Sequence, residues 1–133
     1  MDQDAILCVD DEAIILLSVR QELKNHFKQR FLYETATSAE EALAIIDRLV
    51  SQGIKVILIL TDWLMPGMKG DEFLIIVKKR YPSIRSILLT GQADSKAVER
   101  VKREAGTEHV IYKPWRREDL ISAVERCTAE ATA

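Results

Sequence analysis

Cysteine is scarce in this 133-residue chain, with two residues, Cys8 and Cys127, near opposite ends. Without a close pair or partner histidines they form no zinc or redox motif, and both read as reduced residues in or near the core. Long apolar stretches are missing as well. The longest uninterrupted runs, residues 56–60 and 73–77 among them, fall far short of the roughly 20 residues a bilayer-spanning helix needs. Charge of one sign does not dominate either: 19 basic and 21 acidic residues give a net charge of −2. Nucleic-acid binding through a strongly basic body is therefore disfavoured. Met1-Asp2-Gln3-Asp4 is acidic and lacks the basic segment of a signal peptide. A cytoplasmic location without membrane attachment is the expectation.

What remains is a chain of one-domain size, 47% hydrophobic and 30% charged, able to bury a core beneath a hydrophilic surface. Short apolar runs at residues 5–9, 32–36, 54–60, 84–89 and 110–112 alternate with longer amphipathic segments. The third run is β-branched and apolar on both faces, as a central strand of a parallel sheet requires. Between the runs, Leu16, Val19, Leu23 and Phe27 recur at spacings of three and four, the apolar stripe of a helix. Ala39, Leu43, Ile46, Leu49 and Val50 repeat that spacing after Ser38, with Glu41 three residues on as in a capping box. Phe73, Leu74, Val77 and Tyr81 form a third stripe that Pro82 stops. Ala97, Val98, Val101 and Ala105 form a thinner fourth, crowded with charge, and Leu120, Ile121, Val124 and Cys127 a fifth. Five strand–helix repeats predict an α/β fold, a parallel sheet with helices on both faces. Its functional crevice lies at the carboxyl ends of the strands.

Polar residues follow the apolar runs at four of those ends: Asp10-Asp11-Glu12, Thr61-Asp62, Thr90-Gly91 and Lys113-Pro114. Taken singly, each has a plainer role. Asp10 or Asp11 would cap the first helix, Asp62 would begin a turn into Pro66-Gly67, Thr90 would cap a loop, and Lys113 would be a solvated strand end. Capping is expected of one of the acids. Taken together, Asp10, Asp11 and Asp62 converge if the fold is right, and three close carboxylates repel until a cation relieves them. All the ligands are oxygens, which suits Mg²⁺ better than zinc. Lys113 adds a positive charge and Thr90 a hydroxyl donor, the components that phosphoryl transfer to a carboxylate requires. No Gly-rich phosphate loop or dinucleotide fingerprint follows the first strand. The site therefore reads as a metal site first and a phosphate site second.

Val9-Asp10-Asp11, the stretch Asp62-Trp63-Leu64-Met65-Pro66-Gly67-Met68-Lys69-Gly70, Leu88-Leu89-Thr90-Gly91 and Lys113-Pro114-Trp115 resemble the signature set of two-component response-regulator receiver domains of the chemotaxis-regulator type. The resemblance implies a doubly wound, flavodoxin-like (βα)5 sheet in the order 2-1-3-4-5, with a receiver domain over residues 4–127 and a C-terminal tail at 128–133. Asp62 would be the phosphoacceptor, taking its phosphoryl group from the phosphohistidine of a histidine kinase or phosphotransfer protein. Asp11, Asp62 and the backbone carbonyl of Leu64 would ligate Mg²⁺ directly, and Asp10 through a water. Thr90 would swing toward the phosphoryl group, Lys113 would pair with it, and the Lys113–Pro114 bond would be cis. Such a chain is a phosphorelay switch rather than a multiple-turnover enzyme. It controls an unspecified output domain or protein, with room for homodimerisation on activation.

Two departures from the family pattern stand out. An aromatic residue is expected three positions before the lysine, where this chain has Val110; Tyr112, two residues on, shares its face in a regular strand and is a candidate substitute. Leu64 offers no side-chain group to orient an attacking water, whereas Gln92 is placed to do so, so loss of the phosphoryl group should be moderate to slow. Residues 98–103, 109–112 and 115–118 are the expected reading surface, reached through the loop at 91–94. The Lys-Pro-Trp ending resembles receivers attached to cyclic-di-GMP phosphodiesterases and other output domains. A degenerate, phosphorylation-independent receiver and a small aspartate-dependent phosphatase are the rival readings. The complete set of acids, Thr90 and Lys113 speaks against the first, and Leu64, where such phosphatases need an acid, against the second.

Overall fold

The computed structural model describes residues 3–92 and 94–132, so Met1 and Asp2, Ala93 of the expected coupling loop and Ala133 lie outside the described residues. Five strands, β1 (Asp4–Val9), β2 (Phe31–Ala36), β3 (Val56–Thr61), β4 (Arg85–Thr90) and β5 (His109–Tyr112), alternate with five helices. The helices are α1 (Ala13–Phe27), α2 (Ala39–Ser51), α3 (Gly70–Arg80), α4 (Ser95–Glu104) and α5 (Arg117–Thr132). All strand pairings are parallel, in the order β2-β1-β3-β4-β5, which is the architecture expected from the sequence.

Strand alternation builds two cores. Ala5, Leu7 and Val9 of β1 enter one cluster with Ala42 and Ile46 of α2, Phe73, Leu74 and Val77 of α3, and Val101 of α4. Ile6 and Cys8 enter the other with Leu16, Val19 and Leu23 of α1 and Leu120 and Val124 of α5. The two-residue period of a strand makes this division unavoidable once both faces are covered. β3, at the centre of the sheet, is buried at every position. Burying one Leu, Ile or Phe is worth about 1.5–3 kcal/mol, so the helical stripes seat their helices firmly and with them the strand ends.

Local chemistry trims the elements. Ser38 Oγ accepts from Glu41 N–H at 3.1 Å, while Glu41 Oε1 accepts from Thr37 N–H at 2.8 Å. The capping box is therefore present, with its return bond displaced by one residue. Gly53, at φ 77°, lets the chain leave α2, and the Ile54 amide reaches back to the Leu49 carbonyl. α3 ends at Arg80, before Pro82. α5 does not stop at Cys127: the expected tail is helical through Thr132, and the buried Thr128 hydroxyl donates to the Val124 carbonyl at 2.8 Å. Among the described residues, no helix is long and apolar enough to cross a membrane.

Candidate functional site

β1 and β3 are neighbours, with Val9 opposite Thr61, so the next residues, Asp10 and Asp62, emerge side by side from the sheet. The pairing continues through them: Asp62 N–H donates to the Val9 carbonyl at 3.0 Å and Asp10 N–H to the Ala36 carbonyl at 3.1 Å. The backbone thus holds both aspartates before their side chains are considered. Asp10 is 3% exposed and Asp62 6%, while Asp11 is exposed. Each of the three offers an oxygen, all lying within 4.8 Å of one another, a grouping able to hold a metal ion. The donors are oxygens alone, the set a hard divalent cation takes.

Lys113 reaches this cluster from the far side. Its N–H donates to the Thr90 carbonyl at 2.9 Å, extending the β4–β5 pairing, and its peptide bond to Pro114 is cis, as expected. Nζ then lies 2.7 Å from Asp10 Oδ2 and 3.3 Å from Asp62 Oδ2. Burial opposes the ammonium, but the bonds and charges of Asp10 and Asp62 outweigh it and hold the Lys113 pKa above the ordinary lysine value. Burial pushes the Asp10 carboxyl above the usual carboxylate range, against the opposing pull of Lys113. The remaining oxygens are committed to backbone: Asp62 Oδ1 accepts from Trp63 N–H at 2.7 Å, and Asp10 Oδ1 from Glu12 N–H at 2.9 Å. The capping role expected of one acid is not found. Glu12 occupies the N-cap of α1 with no side-chain cap bond, and Asp10 binds the amide of that cap residue rather than one inside the helix.

A cleft of about 630 Å³ opens over the cluster, lined by Asp11, Asp62, Leu64, Thr90, Gln92 and Lys113. Thr90 is buried, and its Oγ1 accepts from Gln92 N–H at 3.3 Å. The residues singled out in the sequence therefore meet at one sheet edge. Tyr112, the suggested substitute for the missing aromatic, is 52% exposed, whereas Val110 packs against the α2–α3–α4 core. Gly70 entered the sequence reading only as the end of a signature stretch, and Asp71 not at all. A Cβ on Gly70 would lie 2.1 Å from the Asp62 carbonyl oxygen and 2.9 Å from Trp63 Cα, so only glycine lets α3 start this close to the acceptor loop. Its place at a helix start was the available signal. Asp71, beside it, reads in sequence as an ordinary acid in a first helical turn.

Comparison with known proteins agrees with this geometry. The family described as response regulator receiver domain matches residues 6–125. The hydrogenase transcriptional regulatory protein HoxA of Cupriavidus necator is 37% identical over 93% of this chain, and the match spans 24% of that protein. The response regulator protein VraR of Staphylococcus aureus is 31% identical over 91% of the chain and 54% of its own length. The chain thus spans about a quarter to a half of these relatives. Among solved structures, a CheY-like receiver domain protein from Methanospirillum hungatei superposes with a TM-score of 0.83 at 30% identity, covering 98% of both chains. The signal receiver domain of an HD domain-containing protein from Pseudomonas fluorescens gives 0.84 at 27% identity and 96% of both. Fold, strand order and matched length together leave one assignment: the chain belongs to the response regulator receiver domain family, the signalling modules of two-component systems.

Proposed function

We propose that Asp62 accepts a phosphoryl group, in a Mg²⁺-dependent step, from the phosphohistidine of a histidine kinase or phosphotransfer protein. The charge and packing change at Asp62 would then switch a surface that binds or controls an output partner. The supporting observation is the charge arrangement: three carboxylates, two of them buried, with an oxygen of each within 4.8 Å of the others, and Lys113 bonded to the buried two.

In the transfer, an Asp62 carboxylate oxygen forms the new P–O bond as the P–N bond to the donor imidazole breaks, and the imidazole leaves with the bonding pair. Trp63 N–H, held on Asp62 Oδ1, keeps the carboxylate in one orientation, which removes rotational freedom from the approach. Asp11, Asp62 and the Leu64 carbonyl would hold Mg²⁺ directly. Asp10 would act through water. When bound, the ion would supply charge neutralisation for the incoming phosphoryl oxygens. Lys113 lies within reach to exchange its Asp62 bond for a phosphoryl oxygen, and Thr90 lines the same cleft with a hydroxyl to donate. The chain would operate in the cytoplasm as a switch rather than as a turnover enzyme.

Mass spectrometry of the chain with a phosphodonor and Mg²⁺ tests the reading. An added phosphoryl mass that chelator abolishes and Asp62→Asn prevents is expected. A phosphoryl group on the Asp62→Asn chain, or none on the parent, would overturn it.

A further inference from the structure

Acceptor loop and fourth helix are joined in this molecule by a run of polar contacts that the phosphoryl chemistry above uses only at its first member, the Trp63 amide. It begins at Asp62, whose Oδ1 accepts from Trp63 N–H at 2.7 Å. The Trp63 side chain is half-buried, with the Lys69 ammonium 5.1 Å from its ring centroid. Its indole Nε1 donates to Asp71 Oδ1 at 3.2 Å. The other oxygen of Asp71, Oδ2, accepts from Arg100 Nη1 at 3.3 Å, and Arg100 Nε is bonded at 3.0 Å to Glu104 one turn further along α4. Four contacts thus lead from the acceptor carboxylate to the last turn of α4.

Three features make this run a mechanical connection rather than surface decoration. The Asp71 side chain is only 12% exposed, so each of its oxygens needs the donor it has. Gly70, immediately before it, leaves no slack: its amide donates to the Trp63 carbonyl at 2.8 Å, and the Asp62 carbonyl sits where a Cβ would be. A displacement of the Asp62–Trp63 backbone must therefore carry the first turn of α3, and Asp71, with it. Finally, α4 has few other anchors. Within the helix only Ala97 and Val101 are buried, against six residues of α3. The β5 position facing this core carries the small side chain of Val110. With so little apolar packing, an ion pair anchored on a nearly buried carboxylate weighs heavily in where α4 sits.

We infer that Asp71, held between the Trp63 indole and Arg100, is the positioning residue through which the acceptor loop sets the placement of α4. The inference rests on the proposed phosphorylation of Asp62 and names how that event reaches the surface. A phosphoryl group, with its added negative charge and acceptor oxygens, competes for the donors around Asp62, beginning with Trp63 N–H. Trp63 then shifts together with the first turn of α3 and Asp71, and Arg100 re-pairs.

The test compares the parent chain with Asp71→Asn, which keeps the shape and removes the charge, and with Arg100→Gln, which cuts the link at the half-exposed end without disturbing the buried side. Beryllofluoride with Mg²⁺ serves as the phosphoryl mimic. Its binding is measured by calorimetry, and the response of α4 by amide hydrogen exchange of residues 95–104. In the parent, exchange in α4 should change at least tenfold on binding. Both variants should bind the mimic within about threefold of the parent while the α4 response falls below twofold. Arg100→Lys should recover part of it. Equal α4 responses in parent and variants, with mimic bound, would overturn the inference and leave the phosphorylation reading standing. Failure of the parent to bind the mimic would overturn both.

Discussion

Replacing Lys113 by Met isolates the electrostatic cost of the acidic cluster. Met keeps much of the apolar stem and removes only the charge. At an effective dielectric constant of about 20, the Lys113 attractions at 2.7 and 3.3 Å amount to about 6 and 5 kcal/mol before desolvation. The Asp10–Asp62 repulsion, within 4.8 Å, is about 3.5 kcal/mol or more on the same scale. Loss of the ammonium removes both attractions and leaves the repulsion, offset by the burial cost Lys113 no longer bears. Removal of one partner of a buried pair costs about 3–5 kcal/mol. With 15% of the Lys113 side chain exposed, the low end applies, about 3 kcal/mol, or a melting-temperature drop of about 10 °C. The pH dependence separates this cause from lost packing. Burial already raises the Asp10 pKa, and Lys113 is the group that opposes the rise, so the variant's folded state holds its proton to higher pH still. A raised carboxyl binds more protons in the folded than in the unfolded chain between the ordinary and the raised pKa. Its stabilising contribution is full below that window and lost as pH rises through it. The deficit of Lys113→Met relative to the parent should therefore be greatest near pH 7–8 and shrink toward pH 4. Mg²⁺ at neutral pH should recover part of it. Thermal melts of both chains in chelator across that range are the assay; a deficit that stays constant with pH would refute the electrostatic account.

Other perturbations probe separate parts of the molecule. Burial pushes the Cys8 thiol up to about 12, so native-state alkylation at pH 8 should proceed only through unfolding, as mass spectrometry with and without urea would report. Because the unfolded thiol ionises near 9, the same group should cost stability at about 1.4 kcal/mol per pH unit between about 9 and 12. Gly70→Ala forces a Cβ to within 2.1 Å of the Asp62 carbonyl oxygen. It should cost about 3 kcal/mol of stability in urea unfolding and slow phosphoryl acceptance, since the displaced backbone is that of the acceptor. Gln92, which lines the cleft on the Thr90 side, is suited to orient a water, so Gln92→Ala should lengthen the phosphoryl lifetime about tenfold, followed by loss of the added mass over time.

The fold was legible because it is written in two periods. Stripes such as Leu16, Val19, Leu23 and Phe27 name the buried side of a helix, and the β-branched run of β3 names the central strand. Boundaries slipped where a local bond, not the stripe, decides them. Lys28 takes φ 53° and opens a 3₁₀ turn through Arg30, a conformation no residue type there announces. α5 outlasts its apolar stripe, because Thr128 satisfies its hydroxyl on the Val124 carbonyl while its methyl stays buried. In the site, the strand ends revealed Asp10, Asp62, Thr90 and Lys113, since parallel strands must deliver them to one edge. Asp71 was illegible for the opposite reason: its importance comes from Arg100, 29 positions away and one helix over, and neither residue is unusual where it stands.

The two kinds of contact that hold the helices have different sensitivities to a charge at Asp62. Phe73, Leu74, Ile75 and Val77 seat α3 by apolar burial, which a charge leaves almost untouched. α4 has little such burial and is bound instead through Arg100 to a carboxylate connected to the acceptor itself. An acyl phosphate carries about −1.5 to −2 units of charge where the Asp62 carboxylate carried one, so negative charge grows at the origin of that connection. The element most open to displacement is thus the one wired to the charge, while α3 beyond its first turn is held by its core. An apolar α4 with a neutral partner at position 71 would be steadier and would lose the means to respond.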